Sequence, residues 1–303
     1  MPATLVLLVF DAGCTTAARP KSVRTPSLYT GESLLDARQH DPSSRLGVLM
    51  MVRLVASFVL VLASGLAWAE AITIKAGGLD RTAVYFKPIK KGVWPLVIAF
   101  HGHGGNGADF AEKTDLHAQW PEATMYFPDG LPTATGSDPE GDKPGWQKAA
   151  GVEGDRDLAL FDAILKREGI KQGRGVKRKV YLAGFSNGAS LTFLLWSVRR
   201  SSITAVAACA AGGQGKDLSP MPAVLIYGKD DDRCVYTKAI ESIKAVLAAN
   251  KATGSFSDWP NGRVIESYPA ARGGATTRLI THPGGHSWPE WASDDVVTFL
   301  RAQ

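Results

Sequence analysis

Three short segments of this chain carry residue types that could transfer an acyl group. Gly184-Phe185-Ser186-Asn187-Gly188 lies between an apolar run, Val180-Tyr181-Leu182-Ala183, and a helix-like stretch. In that setting Ser186 is a candidate nucleophile on a sharp strand-to-helix turn, where a Cβ on either flanking glycine would collide with the neighbouring strand or helix. Gly228-Lys229-Asp230-Asp231-Asp232 follows a second apolar run and supplies carboxylates. Pro283-Gly284-Gly285-His286-Ser287-Trp288-Pro289 follows a third and supplies an imidazole. A serine hydroxyl is a weak nucleophile until a base takes its proton, and the base needs an acid to hold its tautomer. Ser186, one of the three aspartates and His286 meet that need in the order nucleophile, acid, base. Residue type leaves the choice among Asp230, Asp231 and Asp232 open, because a polar turn also uses Asp. His282 is the weaker candidate base, since it falls inside its strand.

Acyl transfer also needs donors for the oxyanion. His101-Gly102-His103-Gly104-Gly105 follows the apolar run Pro95–Phe100, and its glycines would let backbone N–H groups face a substrate oxygen. The amides of His103 and Asn187 are the candidate pair. The same loop does not fit G-x-x-x-x-G-K-[ST], so a phosphate cradle is disfavoured. Neither Cys-x-x-Cys nor His-Glu-x-x-His occurs, and the six histidines are scattered or sit in Gly-rich turns, so no metal and no cofactor are expected. Trp146, in Pro144-Gly145-Trp146, and Trp288, beside His286, are candidates for an apolar wall around the substrate.

The elements that must position these groups follow from periodicity. Ile72–Lys75 and Thr82–Phe86 alternate and predict two antiparallel strands. Buried strands are predicted at Pro95–Phe100, Thr124–Phe127, Lys179–Ala183, Thr204–Cys209, Val224–Tyr227 and Thr277–His282. Helices are predicted at Ala111–Gln119, Asp155–Glu168, Gly188–Arg199, Ala239–Asn250 and Asp294–Ala302. The Gly-, Pro-, Asp- and Thr-rich stretch Leu131–Gly154 predicts a long surface excursion. Strands alternating with helices predict an α/β fold, a mostly parallel sheet with helices on both faces. Every chemically suggestive loop follows a strand, so all of them should gather at one end of the sheet. Only about a dozen residues, Gly212, Gly213 and Gly215 among them, separate the strands near Cys209 and Ala223, which leaves no room for a helical lid.

Taken together, the HGHGGNG loop, the YFPDG turn, the GFSNGAS elbow, the YGKDDD loop and the GGHSWP loop resemble the secreted polyhydroxybutyrate depolymerase and feruloyl esterase family of α/β-hydrolases, also grouped with carbohydrate esterases. The likeness spans nearly all of Glu70–Gln303. It implies the α/β-hydrolase fold and a serine ester hydrolase, with Ser186 as nucleophile, His286 as base, Asp231 as acid, and the amides of His103 and Asn187 as oxyanion donors. It implies an ester substrate, a polymer or a plant cell-wall fragment. One departure concerns the acid loop: the family writes His-Gly-Thr-Ala-Asp where this chain has Tyr227-Gly228-Lys229-Asp230-Asp231. Acetylxylan or another carbohydrate ester is an alternative substrate. A serine peptidase and a non-catalytic binding protein are rival readings of the same fold.

The 303 residues are 45% hydrophobic and 21% charged, an ordinary globular balance that leaves one catalytic domain as the default. From Met51 the chain reads Met-Val-Arg, an apolar run Leu54–Leu66, then Ala67-Trp68-Ala69. This is the pattern of a signal peptide, a basic start, an apolar middle and small residues before the cleavage point. Residues 1–49 are therefore expected to lie upstream of the true start, 50–69 to be a signal peptide and 70–303 to be the catalytic domain of a secreted or periplasmic protein. The net charge is +5 and no basic run with interleaved aromatics occurs, so nucleic acid is not expected. Val52–Trp68 is short for a membrane span and ends in a cleavage-like site, so a stable membrane anchor is not expected either. An exported chain could oxidise Cys209 and Cys234, whose separation the sequence does not give.

Overall fold

A computed structural model describes residues 69–171, 178–211 and 217–303, apart from the side chain of Asn261. All fall in the compact unit Val61–Gln303. The expected upstream segment, the signal peptide up to Trp68, and Gly212, Gly213 and Gly215 lie outside the described residues.

In chain order the strands are β1 (Ala69–Ala76), β2 (Leu79–Phe86), β3 (Leu96–Phe100), β4 (Thr124–Pro128), β5 (Leu131–Pro132), β6 (Pro144–Gly145), β7 (Val180–Phe185), β8 (Ala205–Cys209), β9 (Ala223–Gly228), β10 (Phe256–Asp258), β11 (Val264–Tyr268) and β12 (Thr277–His282). The helices are α1 (Gly107–Thr114), α2 (Leu116–Gln119), α3 (Arg156–Arg167), α4 (Asn187–Arg199), α5 (Tyr236–Ala249) and α6 (Ala292–Arg301). Ten strands form one sheet in the order β1-β2-β4-β3-β7-β8-β9-β12-β11-β10. From β4 to β12 every neighbouring pair is parallel, while β1, β2, β10 and β11 extend the two edges antiparallel.

The parallel strands read as unbroken apolar runs because both of their faces are covered. Along β3, Leu96, Ile98 and Phe100 point into one core and Val97 and Ala99 into the other. Helices α3, α4 and α5 close the first core, through Phe161, Ile164, Leu191, Trp196 and Ile243 among others. Helices α1, α2 and α6 close the second, through Phe110, Leu116, Val296 and Phe299. Helices thus lie on both faces, as the sequence leads one to expect.

Three local features depart from the predicted elements. The single helix expected over Ala111–Gln119 is two: Asn106 caps α1 by accepting the Asp109 N–H at 2.8 Å, and Asp115 at φ 49° ends it before α2. The excursion Leu131–Gly154 folds back on itself as the β5–β6 hairpin, followed by a 3₁₀ turn at Glu153–Asp155. The edge strands β10 and β11 were not anticipated. The predicted absence of a lid concerns the β8–β9 connection, and its described residues contain no helix.

Candidate active site

The sheet topology brings the chemically suggestive loops together. Strands β3, β7, β8, β9 and β12 are consecutive and parallel, so the segments leaving their carboxyl ends share one rim. Ser186 leaves β7, Asp231 leaves β9, His286 leaves β12 and His103 leaves β3.

The turn at Ser186 is tight. Its backbone sits at φ 53° and ψ −117°, a conformation that costs a non-glycine residue about 1–3 kcal/mol and persists only where the surroundings enforce it. They do so here from both sides: the Ser186 N–H donates to the Cys209 carbonyl at 2.8 Å, and the Ser186 carbonyl accepts the Ser190 N–H at 3.0 Å. The flanking glycines leave no space for a side chain. A Cβ on Gly184 would stand 2.4 Å from the Gly188 oxygen, and one on Gly188 would stand 2.2 Å from the Phe100 oxygen. Helix α4 can therefore start directly against β3, holding Ser186 proud of the sheet.

His286 Nε2 lies 2.8 Å from Ser186 Oγ. Its Nδ1 lies 2.8 Å from Asp231 Oδ2 and 3.0 Å from Oδ1. A carboxylate can only accept, so Nδ1 carries the proton and Nε2 presents a lone pair to the serine hydroxyl. Asp231 is buried, and its Oδ1 also accepts the N–H groups of Arg233 at 2.9 Å and Cys234 at 2.7 Å. Asp230 and Asp232 are exposed on either side of it. The ambiguity among the three aspartates is thus resolved by geometry: Asp231 alone turns inward to the imidazole. Phe185 packs against the His286 ring at a centroid distance of 5.0 Å.

The residues proposed as oxyanion donors, His103 and Asn187, both border the cleft that Ser186 lines. Neither the His103 nor the Asn187 N–H has an acceptor among the described residues, while the amides beside His103 are engaged: Gly104 N–H donates to the Pro144 carbonyl at 2.7 Å and Gly105 N–H to the Gly102 carbonyl at 3.1 Å. Asn187 is the first residue of α4, where an N–H has no partner within the helix and the helix dipole favours negative charge. The side chain of His103 turns the other way, its Nε2 lying 2.9 Å from Asp138 Oδ2. The Lys143 N–H, first, and then His103 hold the Asp138 carboxyl below the usual carboxylate range.

The two tryptophans expected to line the substrate wall do not. Trp146 is fully buried: its indole N–H donates to the His101 carbonyl at 2.8 Å and its ring packs edge-on against Phe100. Its backbone grips the Asn187 side chain, with Trp146 N–H donating to Asn187 Oδ1 at 2.7 Å and Asn187 Nδ2 donating to the Trp146 carbonyl at 3.1 Å. Trp288 is also buried, against Phe110, with its indole N–H donating to Ser293 Oγ at 3.0 Å. Both brace the loops of the site from behind, because a large ring with one polar atom finds its best position where that atom has a partner. Among the described residues it is Phe185, the residue before the candidate nucleophile, that brings an aromatic hydrocarbon ring to the cleft.

His101, His282, the two cysteines and the Arg81–Asp157 pair stand outside the Ser186–His286–Asp231 chain. His101 is neutral: burial pushes its pKa down, its Nε2 accepts the Gly130 N–H at 2.8 Å and its Nδ1 faces the Gly102 carbonyl at 2.7 Å. His282 lies at the end of β12 with its Nδ1 accepting the Gly284 N–H at 3.1 Å, so it orients the histidine loop and does not reach Ser186. Cys209 and Cys234 are free, buried thiols; burial, reinforced by Asp231, raises both, Cys234 to about 11. Beneath Trp146, Arg81 and Asp157 form an ion pair at 3.0 Å with both side chains fully buried. Asp157 Oδ2 accepts the Gln147 N–H at 2.7 Å, and Arg81 donates to the Asp129 carbonyl at 3.0 Å. That pair ties the excursion carrying Trp146 to β2 and α3.

Around Ser186 lies a cleft of about 920 Å³, within the range that takes a small-molecule or chain-end ligand. No protein-family model and no curated protein matches this chain. Solved structures do match. A cold-adapted esterase from an Arctic intertidal metagenomic library, in a PEG-bound complex, is 16% identical with a TM-score of 0.55, covering 77% of this chain and 93% of that one. A carboxylesterase from Mesorhizobium loti is 16% identical with a TM-score of 0.53, covering 78% and 99%. The carboxylesterase from Bacillus cereus is 15% identical with a TM-score of 0.50, covering 73% and 94%. The chain has the α/β-hydrolase fold. At these identities the likeness speaks to the fold, and the chemistry rests on the residues of the site.

Proposed function

We propose that this protein is an exported serine ester hydrolase of the polyhydroxybutyrate depolymerase and feruloyl esterase type. The observation that carries the reading is the unbroken chain Ser186 Oγ, His286 Nε2, His286 Nδ1, Asp231, with both links at 2.8 Å. As Ser186 Oγ attacks the ester carbonyl carbon, His286 Nε2 takes its proton, and Asp231 stabilises the imidazolium that results. The carbonyl oxygen becomes an oxyanion and accepts from the His103 and Asn187 N–H groups, each donor lowering the barrier by about 2.7–4 kcal/mol. The tetrahedral intermediate collapses, the alcohol leaves with the proton held by His286, and an acyl-enzyme on Ser186 remains. Water then attacks that ester with His286 as base, releasing the acid and restoring the serine.

The esterase neighbours support this direction without naming the ester, and the polymer-ester family is supported by the five motifs. Export is supported by the signal-peptide pattern ending at Ala69. Parallel hydrolysis of methyl ferulate, an acetylated xylan fragment and a hydroxybutyrate oligomer tests the substrate class. The reading expects turnover of at least one by the wild type and none by Ser186→Ala. Turnover retained by Ser186→Ala would overturn it.

A further inference from the structure

The cleft around Ser186 is strongly one-signed. Lys143, Lys148, Arg233 and Lys238 line it, and no described Asp or Glu does. All four are exposed, and none forms an ion pair among the described residues. Asp138, five residues before Lys143, is already taken by the His103 ring at 2.9 Å and the Lys143 N–H at 3.0 Å, while Glu140 and Asp142, closer in chain, do not line the cleft. Asp231 is covered by His286 and by two backbone amides.

The four cations come from two sides. Lys143 and Lys148 bracket β6 and Trp146, whose backbone holds Gly104 and Asn187, so this pair belongs to the oxyanion side. Arg233 immediately follows the acid loop and Lys238 lies in the first turn of α5, so that pair belongs to the acid side. Like charges gathered around one cleft repel each other, and a cleft lined by a single sign focuses its potential on whatever enters. Exposed carboxylates neighbour two of these cations in sequence, Asp142 before Lys143 and Asp232 before Arg233, yet among these described charged residues only the cations line the cleft.

We infer that the ester this site takes carries a carboxylate a few bonds from the scissile carbonyl, read by these two cationic pairs. The inference rests on the proposed ester hydrolysis. The carboxylate could stand on the leaving alcohol, as in a hydroxy-acid oligomer with a free end, or on the acyl part, as in a monoester of a diacid. Two matched pairs of probes separate these sources. A hydroxybutyrate trimer is compared with its terminal methyl ester, and mono-4-nitrophenyl glutarate with 4-nitrophenyl valerate.

The expected result at low ionic strength is a charged-over-neutral preference in kcat/KM of about tenfold or more in at least one pair, the lower end of what steering by a charged cleft supplies. Salt at about 0.5 M should remove most of that preference. The double variants Lys143→Gln/Lys148→Gln and Arg233→Gln/Lys238→Gln should each lower the charged-to-neutral ratio, and the larger drop identifies the pair that reads the carboxylate. A ratio of one or below in both probe pairs, with a fluorophosphonate still labelling Ser186, overturns the inference and leaves ester hydrolysis standing. No labelling of Ser186 and no turnover of any probe overturns both.

Discussion

The floor and the rim of this cleft are held in different ways. Ser186, Asp231 and His286 follow β7, β9 and β12 of one run of parallel strands in a sheet covered on both faces, and each is fixed by at least two hydrogen bonds. Lys143, Lys148, Arg233 and Lys238 stand on exposed segments and a first helical turn, paired with no described carboxylate. The proposed function accounts for the difference. Proton transfer requires hydrogen-bond contact, so the floor tolerates no slack. Attraction of a charge falls off slowly with distance, so under the proposed charge reading an exposed cation suffices on the rim. Substitutions on the floor should therefore act through geometry and be large, and those on the rim should act through charge and be small and salt-sensitive.

Asp231→Asn is the largest of these effects. The Arg233 and Cys234 N–H groups keep the amide oxygen, so the NH2 faces Nδ1 and imposes the wrong tautomer, and kcat should fall on the order of 10⁴-fold with the fold retained by circular dichroism. Arg81→Met comes next and reads out in stability. It strands Asp157 without its buried partner and should cost about 3–5 kcal/mol in urea unfolding. Adding Asp157→Asn should recover part of that loss. The paired Lys and Arg substitutions follow, about tenfold in the charged-to-neutral ratio and abolished by salt. Trp146→Phe is the smallest: it leaves the His101 carbonyl without its indole donor and should cost about 1–3 kcal/mol of stability. Because Trp146 stands behind the site, KM for a neutral ester should hardly move; a large rise in KM at full stability would return Trp146 to the substrate wall.

The same contrast governs what could be read from residues alone. Leu96–Phe100 and Ala223–Gly228 were legible as strands because burial on both faces leaves a continuous apolar run. Edge strands leave a weaker trace: Phe256-Ser257-Asp258 is exposed throughout and Val264–Tyr268 is half-buried, so β10 and β11 went unseen. Asn106, three residues before Asp109, was an available capping signal that would have moved the start of α1 forward from Ala111. Within the site, the residues with unique chemistry and glycine-dependent turns were legible and the tryptophans were misjudged. Trp146 sits in a Gly- and Pro-rich stretch that reads as surface, yet its backbone and indole N–H groups bond to Asn187 and His101, 41 and 45 residues away, pairings that no local pattern encodes. The cationic rim was invisible for a related reason, since Lys143 and Lys238 are far apart in the chain and meet only once the sheet is assembled.

Intact-mass analysis after exposure to a fluorophosphonate tests the central claim most directly. Wild-type protein should gain a single adduct, mapped by peptide sequencing to Ser186, and lose its ester turnover in step with labelling. Ser186→Ala should gain none, and Asp231→Asn should label far more slowly. A wild-type protein that stays unmodified, or one that is modified elsewhere while turnover continues, would contradict the assignment of Ser186 as the nucleophile.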